Sequence, residues 1–145
     1  MINFRTATPE DSEYLYNLKK KTLGEYIKET WGWDEKIQCN YHEDCFEPEK
    51  YQIIQEDGKD IGCISIEEHS TRYFLNIIEI EPDYQNKGIG TKLIQDLINK
   101  GLQEKKPVEL QVLKVNQRAF TLYKSLGFIV KQETQTHFQM THSIH

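Results

Sequence analysis

The residues with the clearest chemical potential lie in the run Ile78-Glu79-Ile80-Glu81-Pro82-Asp83-Tyr84-Gln85-Asn86-Lys87-Gly88-Ile89-Gly90-Thr91. This pattern predicts a strand, a tight glycine-bearing loop and the first turn of a helix. Backbone N–H groups at a helix start have no partner inside the helix, and the positive end of the helix dipole lies there too. Because Gly88 and Gly90 have no side chain to block a ligand, the loop is suited to a phosphate group.

The glycine spacing excludes two common phosphate loops. A dinucleotide-binding G-x-G-x-x-G fingerprint needs a third glycine where this chain has Leu93. A P-loop needs Gly-Lys-Ser/Thr at a spacing that the chain lacks. A strand-to-helix turn that needs glycine for its geometry alone is the other interpretation of the pair.

The elements that must position this loop are predicted by hydrophobic periodicity and by Gly and Pro signals. The predicted order is β-α-α-β-β-β-α-β-α-β-β. The strands lie near residues 2–7, 51–55, 61–68, 72–81, 108–113, 128–131 and 137–140, and the helices near 8–28, 34–46, 88–104 and 116–125. Helices that interrupt a run of strands indicate an α/β or α+β fold with a mixed sheet. Asp57-Gly58 is predicted as a hairpin turn, and the crossover helix 88–104 gives one strand a parallel neighbour.

Length and composition predict a single domain over residues 1–145. The formal net charge of −5 argues against nucleic acid as a partner, since a basic face would be expected. The sequence has no apolar run of about 18 residues, so we expect no membrane span. The first residues lack the layout of a signal peptide, and we therefore expect a cytoplasmic protein, either a monomer or a homodimer.

Acidic residues concentrate between positions 25 and 49, where eight Asp and Glu side chains stand against two Lys. This segment is either a solvated helical surface or a mouth that attracts a cationic acceptor. Within it, Cys39, His42 and Cys45 recur at three-residue steps on one helix side. A zinc site would require a fourth ligand, so we expect a buried or half-buried helix face and no metal.

Two segments together resemble a known family. The glycine loop with its amphipathic helix resembles motif A of the GNAT (Gcn-related N-acetyltransferase) superfamily. Residues 110–128, Leu110-Gln111-Val112-Leu113-Lys114-Val115-Asn116-Gln117-Arg118-Ala119-Phe120-Thr121-Leu122-Tyr123-Lys124-Ser125-Leu126-Gly127-Phe128, resemble the family's V-x-x-x-N-x-x-A-x-x-x-Y-x-x-x-G-F segment at every specified position. The resemblance covers nearly the whole chain. It implies a mixed, mostly antiparallel sheet of about seven strands flanked by about four helices.

The resemblance implies an N-acetyltransferase that uses acetyl-CoA as a co-substrate. The backbone amides implied to hold the pyrophosphate are those of Gln85, Asn86, Lys87, Gly88, Ile89, Gly90 and Thr91, and Thr91 adds a hydroxyl. The main chain of Ile78 and Ile80 is implied to follow the pantetheine arm, where this strand and the strand at 110–113 splay apart. Asn116 suits a helix N-cap and, in the family, also contacts the cofactor arm. Tyr123 is either plain core or, as in the family, lies near the cofactor sulfur.

The implied reaction is direct attack by a primary amine on the thioester in a ternary complex. Glu79 is the first choice as general base, because an acid between Ile78 and Ile80 is unexpected in a wholly buried strand. A solvated or ion-paired glutamate is the alternative interpretation. Glu81 is the second choice, and a water chain could replace both. Tyr123 is the expected general acid toward the departing thiolate.

In the family, the first two helices and the later strand ends usually build the acceptor site. Tyr26, Trp31 and Trp33 are therefore expected to bind the acceptor, whose ammonium an aromatic ring face attracts. The two tryptophans could instead close the core between the helices. The acidic surroundings favour a small cationic amine or a protein or peptide amine. A CoA-binding sensor or interaction module without turnover is the alternative function.

Overall fold

A computed structural model describes residues 1–143. The strands are β1 (Ile2–Thr6), β2 (Gln52–Glu56), β3 (Lys59–Glu68), β4 (Tyr73–Ile80), β5 (Val108–Leu113), β6 (Ile129–Glu133) and β7 (His137–His142). The α-helices are α1 (Ser12–Trp31), α2 (Glu35–Cys45), α3 (Ile89–Glu104) and α4 (Gln117–Ser125). These elements confirm the predicted order.

The seven strands form one sheet in the order β1-β2-β3-β4-β5-β7-β6. β1 with β2, β2 with β3, β5 with β7 and β6 with β7 are antiparallel pairs. β4 and β5 are parallel and pair from Tyr73–Val108 to Leu75–Leu110, which confirms the parallel neighbour predicted from the crossover helix. None of the helices in residues 1–143 is long and apolar enough to cross a membrane.

The chain divides into two compact units, the first formed by residues 1–65 and 77–85 and the second by residues 66–76 and the described residues from Asn86 onward. The predicted single domain stays a prediction. In the first unit, a buried cluster joins one face of α1 to the adjoining strands. Its members are Ala7, Leu15, Leu18, Ile53 and Cys63, with Tyr14, Phe46, Tyr51 and Ile77 packed against them. The spacing of Leu15 and Leu18 is that of one helix face.

Local sequence signals in the first unit have the predicted effects, with one correction. Asp34 caps α2 by accepting a hydrogen bond from the Ile37 amide at 3.0 Å. Asp57 and Gly58 both have positive φ, 51° and 81°, as a two-residue hairpin requires. The predicted end of α1 near Lys28 is wrong, because the helix continues to Trp31. Gly32 ends it, since it takes a φ of 85° that other residues adopt only with strain.

In the second unit, α3 buries Ile94, Leu97, Ile98 and Gly101. A Cβ at Gly101 would lie 2.6 Å from the Lys106 carbonyl oxygen and 3.2 Å from Val108 Cγ2, so only glycine permits this close approach of α3 to the start of β5. Val108, Leu110 and Val112 of β5 are buried in strict alternation. Helix α3, which begins directly after the glycine loop, is therefore packed closely against the start of β5 in the second unit.

Candidate active site

The glycine loop leads from β4 to α3 and contains two residues with left-handed backbone. Gln85 Nε2 donates to the Ile80 carbonyl oxygen at 2.9 Å and so ties the loop back to the end of β4. Asn86 and Gly88 have φ values of 63° and 82°. Gly88 precedes the first residue of α3, and no acidic side chain lies in that helix's first turn. No carboxylate of this first turn therefore competes for the amides at the start of the helix.

The two glycines of the loop differ in what requires them. Gly88 needs glycine because of its left-handed backbone. Gly90 lies inside α3 without such a φ, and a Cβ built on it meets no heavy atom of residues 1–143 within 4 Å beyond its chain neighbours and the adjacent helix backbone. Neither backbone strain nor packing explains glycine at position 90. The open space against the main chain fits a ligand phosphate.

Arg118, near the start of α4, lies beside this loop. Its Nη2 donates to the Asn86 side-chain oxygen at 2.6 Å, which holds Asn86 in its left-handed conformation. Arg118 belongs to the family-like segment 110–128, but no local sequence signal connects it with residue 86. The remaining predicted loop residues, Lys87, Ile89 and Thr91, lie in the loop and the first turn of α3 as expected.

Glu79 is a buried carboxyl group in the middle of β4. It exposes 4% of its surface, and Cys63 Sγ, on the neighbouring strand β3, donates a hydrogen bond to its Oε1 at 3.7 Å. Its Oε2 is buried without a hydrogen-bond partner among the described residues. Burial raises the pKa of Glu79 to about 7, although the positive charge of Lys19 and the Cys63 hydrogen bond lower it in part. The alternative of a solvated glutamate is wrong.

Gly62 lets the two strands approach closely at Glu79. A Cβ at position 62 would lie 2.2 Å from the Glu79 carbonyl oxygen and 3.1 Å from the Ile80 Cα. These atoms belong to backbone and cannot rotate away. The main chain that carries Glu79 is therefore fixed against β3 by a residue whose role the sequence did not reveal.

Glu81 lies at the edge of a cleft of about 510 Å³ beside α1. The cleft is lined by Tyr14, Asn17, Leu18, Lys20, Lys21 and Glu81. Glu81 Oε2 pairs with Lys21 Nζ at 3.1 Å, and the Tyr14 hydroxyl is buried without a partner among the described residues. Sequence reasoning missed this lining, although residues 14, 17, 18 and 21 repeat at the spacing of one helix face.

The three aromatic residues predicted to bind the acceptor do not belong to the lining of this cleft. The lining of the cleft is made of other residues, and Trp31 exposes 60% of its surface at the end of α1. Trp33 Nε1 donates to Glu35 Oε2 at 2.8 Å, and its ring centroid lies 6.3 Å from that of Tyr16. Tyr26 is half-buried on α1. Their role in acceptor binding stays a prediction.

Asn116 and Tyr123 belong to the second unit. Asn116 Oδ1 accepts from the Ala119 amide at 3.1 Å, which confirms the N-cap predicted for α4. The Tyr123 ring packs edge-to-face against Phe128 with 5.9 Å between centroids. Burial raises the pKa of Tyr123 to about 12, so its hydroxyl is protonated at neutral pH.

All eight acidic residues between positions 25 and 49 are exposed, as the interpretation of this segment as a solvated helical surface predicts. The predicted half-buried face holds for Cys39 and His42 but is wrong for Cys45, which is exposed. His42 stacks on Phe46 with 4.9 Å between ring centroids, and its Nε2 lies 2.9 Å from the Ser12 carbonyl oxygen. Residues 1–143 contain no group of three His, Cys, Asp or Glu that could hold a metal ion.

Comparison with known proteins identifies the family to which the chain belongs. The model of the acetyltransferase (GNAT) family matches residues 13–128. The chain is similar in structure to the PaiA N-acetyltransferase from Thermoplasma acidophilum in complex with coenzyme A, with 19% identity, 99% of each chain covered and a TM-score of 0.77. It is also similar to the ribosomal-protein-S18-alanine N-acetyltransferase from Escherichia coli, with 22% identity, 99% of this chain and 94% of that chain covered and a TM-score of 0.67.

A third similar structure is an acetyltransferase from Thermus thermophilus, with 13% identity, 98% of this chain and 96% of that chain covered and a TM-score of 0.74. At these identities the structural likeness shows a shared fold. No curated protein sequence matches the chain significantly. Because the family model spans most of the sequence, the chain belongs to the acetyltransferase (GNAT) family and is an acyl-CoA-dependent acetyltransferase.

Proposed function

We propose that this acetyltransferase moves an acetyl group from acetyl-CoA to a primary amine by direct attack in a ternary complex, with Glu79 as general base. The observation that carries this proposal is a buried carboxyl group, with a pKa of about 7, on the strand that leads into the glycine loop. An alkyl ammonium has a pKa of about 10.4 and must lose a proton before it attacks. A base with a pKa near the working pH is the most effective acceptor for that proton.

The glycine loop is the proposed pyrophosphate site. Its support is the open main chain at Gly90 and the left-handed Gly88 before the first turn of α3. The amides from Gln85 to Thr91 are proposed to bind the phosphate oxygens, the main chain of Ile78 and Ile80 to follow the pantetheine arm, and Asn116 to contact that arm. The similar PaiA structure contains coenzyme A.

Glu79 and Tyr123 have different roles in the proposed reaction. Glu79 takes a proton from the ammonium, and the neutral amine attacks the thioester carbonyl carbon. The carbon–sulfur bond breaks, the nitrogen gives its second proton to solvent water, and the thiolate leaves as coenzyme A. Tyr123 is proposed to donate a hydrogen bond to that thiolate. Because a thiol has a pKa of about 8.5 and the pKa of Tyr123 is about 12, full proton transfer from Tyr123 is uphill.

The pH dependence of kcat/KM for Glu79→Gln tests the base. The wild-type enzyme is expected to lose activity as pH falls through about 7, because Glu79 becomes protonated. Glu79→Gln should be slower by about 10²-fold or more and should lack this acid limb. Glu43→Gln, at an exposed position on α2, is the matched control. An unchanged pH profile in Glu79→Gln would mean that Glu81 or a water molecule, and not Glu79, accepts the proton.

Release of thiol from acetyl-CoA with a panel of amines tests turnover itself. An acetyltransferase releases thiol faster with a suitable amine than in the hydrolysis background. If no amine does so, while coenzyme A still raises the melting temperature, the chain is a CoA-binding sensor.

A further inference from the structure

The cleft beside α1 is lined by an ion pair that a ligand can replace. Lys21 Nζ lies 3.1 and 3.3 Å from the two carboxylate oxygens of Glu81. The Lys21 side chain is 54% exposed and that of Glu81 is 17% exposed. A pair with one solvated member is weak, since water competes for the ammonium. A ligand that brings its own ammonium and its own anion can therefore exchange partners with both side chains.

The Tyr14 hydroxyl supplies a second, independent indication of a ligand. Its oxygen is buried and has no hydrogen-bond partner among the described residues, although it belongs to the lining of the cleft. Burial raises the pKa of Tyr14 well above its usual value, and so do the negative charges of Glu81 and Asp60 and the approach of the hydroxyl to the Glu81 carboxylate, so the group stays a neutral hydroxyl. Buried hydroxyls are normally hydrogen-bonded, and a hydroxyl that faces the Glu81 carboxylate can still accept a hydrogen bond from a ligand at its oxygen.

The charges of the lining restrict what that ligand is. Lys20 and Lys21 both belong to the lining of the cleft, as does the single carboxylate of Glu81. Lys20 also pairs with Glu35, and its Nζ lies 6.0 Å from the Trp33 ring centroid. A diamine would set its second cation against these lysines, and like charges oppose binding. An amine that carries an anionic group matches both signs.

We propose that this cleft is the acceptor subsite and that it takes a primary amine bearing a carboxylate. The ammonium of the acceptor first donates hydrogen bonds to Glu81 and to the Tyr14 hydroxyl oxygen and then gives its proton to the proposed base Glu79, while the carboxylate of the acceptor binds Lys21. A free α-amino acid and a peptide with an acidic residue at its amino terminus both have this chemistry. This assignment rests on the proposed function and narrows the acceptor within it.

Matched acceptor pairs test the assignment in the wild-type enzyme. Thiol release at saturating acetyl-CoA is compared for an L-amino acid and its α-amide, and for two tripeptides that begin with Glu and with Gln. The carboxylate-bearing member of at least one pair is expected to have a kcat/KM about tenfold higher, the usual gain from one charge-assisted hydrogen bond. The pair that shows the preference distinguishes a free amino acid from a peptide.

Variants of Lys21 then identify the group that recognises the carboxylate. Lys21→Gln should lower kcat/KM about tenfold for the carboxylate-bearing member and leave the amide member unchanged. Lys21→Glu should reverse the preference. Lys28→Gln, on the exposed side of the same helix and outside the cleft lining, is the control that should leave both unchanged.

Two outcomes overturn the assignment. One is a wild-type preference for the amide member of both pairs, and the other is an equal loss for both members in Lys21→Gln. Calorimetric titration of the same pairs in the presence of coenzyme A separates the cleft from the reaction. Lys21-dependent binding without turnover would support the cleft and reject the proposed function, and no binding of either member would reject the cleft.

Discussion

At the scale of single residues, Glu79 and Cys63 form a buried pair whose members set each other's proton affinity. The thiol donates to Oε1 at 3.7 Å and stabilises the charged carboxylate, while burial raises the pKa of both groups. Oε2 remains without a partner in the described residues. Burial, which a single weak hydrogen bond offsets only in part, thus keeps the pKa of Glu79 at about 7, where a carboxylate can act as a general base.

Cys63→Val should raise the pKa of Glu79, because it removes the one hydrogen bond to the carboxylate found among the described residues and keeps a similar volume. The acid limb of kcat/KM should move up by roughly half to one pH unit, which corresponds to the loss of one hydrogen bond. Cys63→Ser keeps a donor and should leave the limb at or below its wild-type position. A limb that stays in place in Cys63→Val would show that the thiol does not tune Glu79.

Tyr123→Phe isolates the contribution of one hydroxyl. The ring contact with Phe128 is kept, so the folded structure and the affinity for the cofactor should change little. We expect kcat to fall by about tenfold, because a hydrogen bond to the leaving thiolate is lost but no full proton transfer. Single-turnover rates and calorimetry with coenzyme A measure the two effects separately. Wild-type turnover in this variant would remove Tyr123 from the reaction.

At the scale of elements, Gly62 and Gly90 are required for different reasons. Gly62 serves the protein itself, because a Cβ there would overlap the Glu79 carbonyl oxygen. Gly62→Ala should therefore lower the free energy of unfolding by about 2 kcal/mol or more, as overpacking against backbone does. Urea denaturation measures this loss. Stability equal to that of the wild type would mean that β3 and β4 can move apart at no cost.

Gly90 is proposed to serve the ligand, because a Cβ built there meets no heavy atom of residues 1–143 within 4 Å beyond its chain neighbours and the adjacent backbone of α3. Gly90→Val should leave the free energy of unfolding within about 1 kcal/mol of the wild type, since only helix propensity changes. Its affinity for coenzyme A should fall by about tenfold or more, because the added side chain would occupy the space proposed for the pyrophosphate. Unchanged affinity by calorimetry would reject the loop as the cofactor site.

Features that depend on neighbouring residues were predictable from the sequence. The caps at Asp34 and Asn116 and the turn at Asp57-Gly58 are local, because each is set by a side chain or a φ value within a few residues. The cleft was not predictable, since Lys21 and Glu81 meet across 60 residues of chain. The sequence indicated that Glu79 was unusual, but its burial and its Cys63 contact depend on how β3 and β4 pair.

At the scale of the whole molecule, buried and paired carboxyl groups make folding depend on pH in opposite directions. Arg5 donates to both oxygens of Asp11 at 2.9 Å and lowers the pKa of Asp11 to about 2. The stability from this pair is present above the unfolded pKa, about 3.9, and is lost as pH falls through about 2. Glu79 has a raised pKa, so its contribution is complete below about 4.5 and is lost as pH rises through about 7.

Glu79→Gln should remove the loss of stability on the alkaline side. Between about pH 5 and about pH 8 the wild-type free energy of unfolding should fall by up to roughly 3 kcal/mol, because the folded state must ionise a buried carboxyl that the unfolded state ionises freely. The variant, with a neutral amide, should show little of this fall, while Glu43→Gln should keep it. Urea unfolding at the two pH values measures the difference, and an equal fall in Glu79→Gln and the wild type would contradict it. A variant that gains stability at the higher pH and loses turnover there would show that the enzyme keeps a destabilising buried carboxyl for its chemistry.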